Sequence, residues 1–104
     1  MKFCHVGIPT TQKRPGEAYL QPAKLYVTDA TTHPYNVEWL RFEPGSPMPK
    51  ELKTMTHVAF EVDNLDVALK DKKIVVEPFV PMPGLKVAFI IDDGVLVELM
   101  QKTA

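Results

Sequence analysis

Short segments in which apolar and polar residues alternate run along the chain, and two of them occur twice. The segment "CHVGIPT" (4–10) is similar to "THVAFEV" (56–62), and "VEWL" (37–40) is similar to "VELM" (97–100). Alternating runs that are rich in β-branched and aromatic residues are typical of strands. Because the two kinds of segment follow one another in the same order in both halves, the pattern indicates an internal repeat.

The repeat divides the chain into two modules that a proline-rich linker joins. Module one covers residues 1–43, with strands predicted at "FCHVGIP", "KLYVTD" and "NVEWLRF". Module two covers residues 54–101, with strands predicted at "HVAFEV", "KIVVEPFV", "KVAFII" and "VLVELMQ". The prolines of residues 44–50 predict the linker, and those of "EPFVPMPG" (77–84) predict a rigid loop. Proline favours such segments because it has no amide donor and a fixed φ.

Helix signals differ between the two modules. In module two, Asp63 is a good N-cap for a short helix with one apolar stripe, formed by Leu65, Ala68 and Leu69. The pair Asp93-Gly94 predicts a two-residue hairpin turn near the end of this module. In module one, "TTQKRPGEAYLQP" has no apolar stripe, so we expect a loop or a single helical turn. The predicted fold class is therefore α+β, with a shortened first module.

Composition narrows the class of protein without identifying a function. The 104 residues fit one domain, and 45% apolar with 24% charged residues is ordinary for a globular protein. Twelve basic and thirteen acidic residues, with no strong basic cluster, argue against a nucleic-acid partner. No apolar run approaches membrane-spanning length. The single cysteine, Cys4, suits a reducing compartment, so we expect a cytoplasmic protein with no membrane partner.

Each module carries a histidine on its first strand and a glutamate on its last strand. Glu98 lies between Val97 and Leu99, where burying a carboxylate is costly unless it is paired or binds a metal. Taken singly, each histidine could be structural and each glutamate an exposed edge residue. The repetition favours a shared site in which His5, Glu38, His57 and Glu98 bind one divalent ion. Such ligands suit Zn, Ni, Mn, Co or Fe.

These segments resemble the vicinal oxygen chelate superfamily, which includes glyoxalase I, methylmalonyl-CoA epimerase, extradiol dioxygenases and bleomycin-resistance proteins. The residues that carry the resemblance are "HVGIPT", "VEWL", "HVAFEVDNLDVAL" and "KVAFIIDDGVLVELMQ". The second half matches along nearly its whole length, and the first half matches at its two ends. The resemblance implies two βαβββ modules that form a curved mixed sheet around a metal. It also implies one ligand on the first and last strand of each module.

The ligand set is closest to that of glyoxalase I. The resemblance therefore implies a metal-dependent lyase or isomerase that removes a proton next to a metal-bound carbonyl of a small substrate, with Zn or Ni favoured. Glu98 is the first choice for the catalytic base and Glu38 the second. Three alternatives stay open: a metal-free sequestering protein of the bleomycin-resistance type, a methylmalonyl-CoA-epimerase-like enzyme, and a metal-binding fold without activity.

Further residues are candidates for the substrate pocket. Glu61 shares a strand face with His57 by alternation, and Phe79 and Met82 lie in a region that the family uses near the pocket mouth. His33 is either an exposed turn residue or a pocket residue. Sheet edges and an apolar concave face would need cover, so we expect a homodimer. The pattern leaves open whether one chain or two supply the ligands.

Overall fold

One mixed sheet of eight strands, curved into a half-barrel, dominates the structure. The computed structural model describes residues 1–103. The strands are β1 (Lys2–Pro9), β2 (Ala18–Leu20), β3 (Leu25–Val27), β4 (Val37–Phe42), β5 (His57–Glu61), β6 (Lys73–Met82), β7 (Leu85–Asp92) and β8 (Val95–Lys102). Two short helices are α1 (Lys50–Thr54) and α2 (Leu65–Leu69), and 3-10 turns occur at Gln21–Ala23 and Ala30–Thr32. This architecture is compatible with the predicted α+β class.

The strands pair in the same order within each half of the chain. The full order is β2-β3-β4-β1-β5-β8-β7-β6. In the first half β1 is parallel to β4, and in the second half β5 is parallel to β8. The antiparallel pairing of β1 with β5 joins the halves in the middle of the sheet. The first and last strands of both halves are therefore adjacent, as β4-β1-β5-β8.

The outer face of the second half is covered by α2. Leu65 and Leu69 of this helix are buried against Ala88, Ile90 and Leu99. The helix begins after Asn64, whose Oδ1 accepts a hydrogen bond from the amide of Val67 at 3.2 Å. The prediction of Asp63 as N-cap was thus wrong by one residue. Of the helices in residues 1–103, none is long and apolar enough to cross a membrane.

The first half has no helix between its first two strands. Residues 10–17 instead run as an irregular segment, and the Arg14 guanidinium lies 3.8 Å from the ring centroid of Trp39. The expected loop or single turn in residues 10–22 is incomplete as a description. This segment also contains strand β2, which is the outermost strand of this half, and most of the 3-10 turn Gln21–Ala23.

Most of the second proline cluster, which was predicted as a loop, belongs to an edge strand, and only Pro83 and Gly84 form the turn to β7. Strand β6 continues to Met82 and includes Pro78 and Pro81, with register shifts in its pairing to β7. An edge strand needs a partner on one side only, so it tolerates residues without an amide donor. The first cluster does form an irregular linker, which leads into the unpredicted helix α1.

The Asp-Gly hairpin is confirmed. Asp93 and Gly94 have φ values of 53° and 74°, and they connect β7 to β8 by two residues. Positive φ at both positions is what a type I′ turn requires, and its twist matches that of the flanking strands. The turn therefore sets the register in which Phe89 pairs with Glu98.

The packing of α2 generates a test of the fold. Leu65 is 0% exposed, so Leu65→Ala should lower the free energy of unfolding by about 2–5 kcal/mol through the cavity it leaves. Val67 lies on the same helix but is 69% exposed, and Val67→Ala should change it by less than about 0.5 kcal/mol. Urea unfolding followed by circular dichroism measures both. Equal effects of the two variants would contradict the packing.

Candidate metal centre

The four predicted ligands meet on the inner face of the sheet, at its middle. His5, Glu38, His57 and Glu98 lie on β1, β4, β5 and β8, which are adjacent strands. One possible ligand atom from each residue lies within 4.8 Å of all the others. A single chain brings them together, so the cluster needs no residue from a second subunit.

The distances within the cluster fit a shared ion. His5 Nε2 lies 3.4 Å from Glu38 Oε1 and 3.2 Å from Glu98 Oε1, and His57 Nε2 also lies 3.2 Å from Glu98 Oε1. Two ligand atoms at about 2.1 Å from one ion are separated by about 3.0 Å at a right angle and about 3.4 Å at a tetrahedral angle. The observed spacings therefore lie in the range that coordination geometry demands.

The imidazoles are buried with nitrogens that no protein group satisfies. His57 is 1% exposed, and within residues 1–103 neither its Nδ1 nor its Nε2 has a hydrogen-bond partner. His5 Nε2 likewise has no hydrogen-bond partner within these residues, because its contacts to the carboxylates lack hydrogen-bond geometry. Leaving a buried polar atom without a partner costs about 1–3 kcal/mol. A divalent ion would bind both Nε2 atoms, so the residues present fit a metal.

Charge in the cluster shifts two pKa values. Burial lowers the pKa of His5, but the carboxylates of Glu38 and Glu98 raise it by more, to about 10. Burial raises the pKa of Glu98, and the imidazoles of His5 and His57 lower it by more, so the net shift is downward. Without a metal, the two carboxylates therefore favour the protonated form of the His5 imidazole.

Gly7 makes room for the His57 imidazole, and this glycine was not among the predicted site residues. Gly7 pairs with His57 across β1 and β5, and a Cβ at Gly7 would lie 2.1 Å from the imidazole Cε1. The position therefore needs glycine for space. A glycine inside a strand often marks a close approach of this kind, so "HVGIP" did contain the signal.

The cluster lies beside an apolar cavity of about 80 Å³. Phe79 and Met82, the candidates near the pocket mouth, line it together with His5, Glu38 and Glu98. Met48 from the linker and Leu52 from α1 also line the cavity, and the sequence analysis did not select either residue. They were missed because residues 44–50 were predicted only as a linker and helix α1 was not predicted.

Glu61, a candidate for the substrate pocket, is not among the residues that line this cavity. Glu61 does share a strand face with His57, but four residues of strand separate their side chains by about 13 Å. Its carboxylate lies 3.5 Å from Lys102 Nζ, beside a different hollow near Met1 and Lys2. His33 also lies outside the cluster, in the loop between β3 and β4, where its Nδ1 accepts a hydrogen bond from the Tyr35 amide.

Comparison with known proteins supports the fold and adds nothing on function. No family model and no curated protein matches the chain. Among solved structures, the chain is similar to the hypothetical protein BH1468 from Bacillus halodurans C-125, with a TM-score of 0.68 and 20% sequence identity. The similarity covers 99% of this chain and 95% of that protein.

The position of Gly7 generates a test of the cluster. Gly7→Ala should displace the His57 imidazole and weaken Zn²⁺ binding by about 10- to 100-fold, the range typical of changes that misorient a ligand. Gly16→Ala is the control, since Gly16 has a positive φ of 78° but nothing within 4 Å of the added Cβ. Competition with a chromogenic chelator measures the affinity. Unchanged affinity of Gly7→Ala would contradict the geometry.

The raised pKa of His5 generates a second test. Below a pKa of about 10 the metal-free imidazole carries a proton, whereas a metal ligand must be a neutral imidazole. Zn²⁺ binding at pH 7.5 should therefore release about one proton, and affinity should rise with pH until His5 loses its proton. Calorimetry in buffers of different ionisation enthalpy measures the release. His33→Gln should leave the number of released protons unchanged. If the parent protein released no proton, His5 would not be a metal ligand that is protonated in the metal-free protein.

Proposed function

We propose that this protein is a metal-dependent lyase or isomerase of the glyoxalase type, which removes a proton next to a carbonyl of a small substrate. The observation that carries the proposal is the convergence of His5, Glu38, His57 and Glu98 beside an apolar cavity. A purely structural metal site is normally closed by protein ligands, whereas a catalytic one keeps a position open to substrate. A ligand set that borders a cavity favours the second kind.

The strand order supports the assignment to the vicinal oxygen chelate superfamily. Both halves of the chain pair their strands in the same order, and each half contributes a histidine from its first strand and a glutamate from its last. Two βαβββ-type modules, the first without its helix, would produce this arrangement. The likeness to a solved structure over nearly the whole chain adds support for the fold.

The metal would be held by two imidazole nitrogens and two carboxylate oxygens. This set suits Zn, Ni, Mn, Co or Fe, and we favour Zn or Ni. When bound, a divalent ion would supply a positive charge that polarises the carbonyl and acidifies the neighbouring C–H. The side chains around the cavity exclude water and orient the substrate, and one carboxylate takes the proton.

Burial favours Glu38 as the catalytic base, which reverses the order expected from the resemblance. The Glu98 side chain is 11% exposed and contacts both imidazoles, while that of Glu38 is 21% exposed and contacts His5 alone. A base must move towards the substrate and accept a proton. Glu98 is held in place by two imidazoles, so it has less freedom than Glu38 to move towards a substrate proton.

The apolar cavity also suits the alternative of a metal-free binding protein of the bleomycin-resistance type. The cluster argues against it, because such a protein would bury two imidazoles and a carboxylate with no ligand to satisfy them. A methylmalonyl-CoA-epimerase-like enzyme fits less well, since epimerases usually carry Gln at the position of Glu38. The homodimer stays a prediction. The cavity supports one kind of partner, a small-molecule substrate.

Two carboxamide variants test the roles of the glutamates. Glu38→Gln should lower substrate proton exchange by at least about 100-fold, the usual contribution of a general base, while reducing metal affinity by roughly tenfold. Glu98→Gln should lose most of the metal, because Glu98 lies between both imidazoles. Exchange is followed by NMR in D₂O, with small α-hydroxyketones and with hemithioacetals of methylglyoxal with 2-mercaptoethanol or glutathione.

Glu61→Gln is the matched control, because Glu61 is a glutamate outside the cluster, and it should keep both metal and activity. If the metal-loaded parent protein exchanges a proton on none of these substrates, the proposed activity is rejected. An unchanged rate in Glu38→Gln would reject Glu38 as the base.

A further inference from the structure

We propose that the cavity selects a compact, uncharged and mostly apolar substrate, and that it rejects anionic ones. This inference rests on the proposed function, since it names the class of substrate for the same site. It is carried by the residues that line the cavity, by the charge of the cluster and by the volume enclosed.

The lining offers no positive charge beyond the cluster. Its polar residues are His5, Glu38 and Glu98, and the other described lining residues are aliphatic, aromatic, methionine or proline. No lysine or arginine in residues 1–103 is among them. A substrate carboxylate or phosphate that entered would lose its hydration and gain no partner, which is costly for an ionised group.

The charge of the loaded cluster also disfavours anions. Two carboxylates, Glu38 and Glu98, would balance the charge of a divalent ion, so neutral imidazoles would leave the site with no net charge. An anionic tail in the cavity would face the glutamates without a compensating cation. A neutral substrate needs no such compensation, because its oxygen can reach the ion while its carbon atoms contact the apolar lining.

The volume limits the size of the substrate. A single buried water occupies about 10–15 Å³, so a cavity of about 80 Å³ accommodates a small ligand. Conjugates of glutathione or coenzyme A are several times larger. Only a small part of such a conjugate would lie inside the cavity.

Part of the cavity wall is packed in place. Leu52 of α1 is 2% exposed, and the preceding linker is held by Ser46, whose buried Oγ donates a hydrogen bond to the Ala23 carbonyl at 2.6 Å. Lys53 Nζ donates to the Ser46 carbonyl at 2.8 Å. Met82, on edge strand β6, is 45% exposed and marks the accessible side of the cavity.

A pair of hydroxamic acids tests the selectivity on the full chain loaded with Co²⁺. 4-Methylpentanehydroxamic acid ends in an isopropyl group, and succinic acid monohydroxamate carries a carboxylate of the same size and shape in its place. Each is titrated while the visible absorption of Co²⁺ is followed. We expect 4-methylpentanehydroxamic acid to bind at least tenfold more tightly.

Charge variants on one strand make the test specific to the cavity. Met82→Lys should reduce the discrimination at least threefold, because it brings a cation to a lining position. Val80→Lys is the control, since Val80 is 58% exposed on the same strand and does not line the cavity, and it should keep the parent ratio.

Equal or tighter binding of the succinic derivative to the parent protein would overturn the inference. So would a Co²⁺ spectrum that neither hydroxamic acid changes, and in both cases the metal site itself would stand. Failure of the chain to bind Co²⁺ would instead reject the proposed function, and the inference with it. Failure of the exchange assay alone, with selective hydroxamate binding intact, would reject the activity and leave the selectivity supported.

Discussion

The contact of the Glu98 carboxylate with the imidazoles of His5 and His57 is the constraint on which the rest of the structure depends. The two imidazoles that lie 3.2 Å from this carboxylate lower the pKa of Glu98 and so favour its charged form despite burial. Each imidazole comes from a different half of the chain, so the contact requires β1 and β5 to be neighbours. The antiparallel pairing of those strands brings Gly7 opposite His57, and the absence of a side chain there leaves space for the ring.

Residue patterns predicted the inner face of the sheet better than they predicted its edges. The repeat of "CHVGIPT" and "THVAFEV" predicted that His5 and His57 lie together, and the structure does bring them into one cluster. Strands that are buried on one face keep a period of two, so equivalent residues of the two segments point to the same side. The same rule does not predict whether Glu61 reaches the cavity, because it gives the face of a strand and not the distance along it. The convergence of Glu38 with Glu98 required the pairing of distant strands, which the repeat indicated and no local pattern could.

The parts that were missed depend on tertiary context. Pro78 and Pro81 were expected in a loop because proline excludes a central strand, but nothing local identifies β6 as an edge strand. Strand β2 has three residues next to Pro15 and Gly16, and its pairing with β3 overrides a weak local preference. The contribution of Leu52 to the cavity follows from the path of the linker, which composition does not determine.

The edges of the sheet have a consequence for how copies of this chain behave at high concentration. The sheet ends at β2, which has only three residues, and at β6, whose prolines and register shifts interrupt the row of amide donors. Neither end offers a long, regular template on which another strand could add. Strand-by-strand polymerisation is therefore suppressed at both ends, and copies that associate would have to meet through the faces of their sheets.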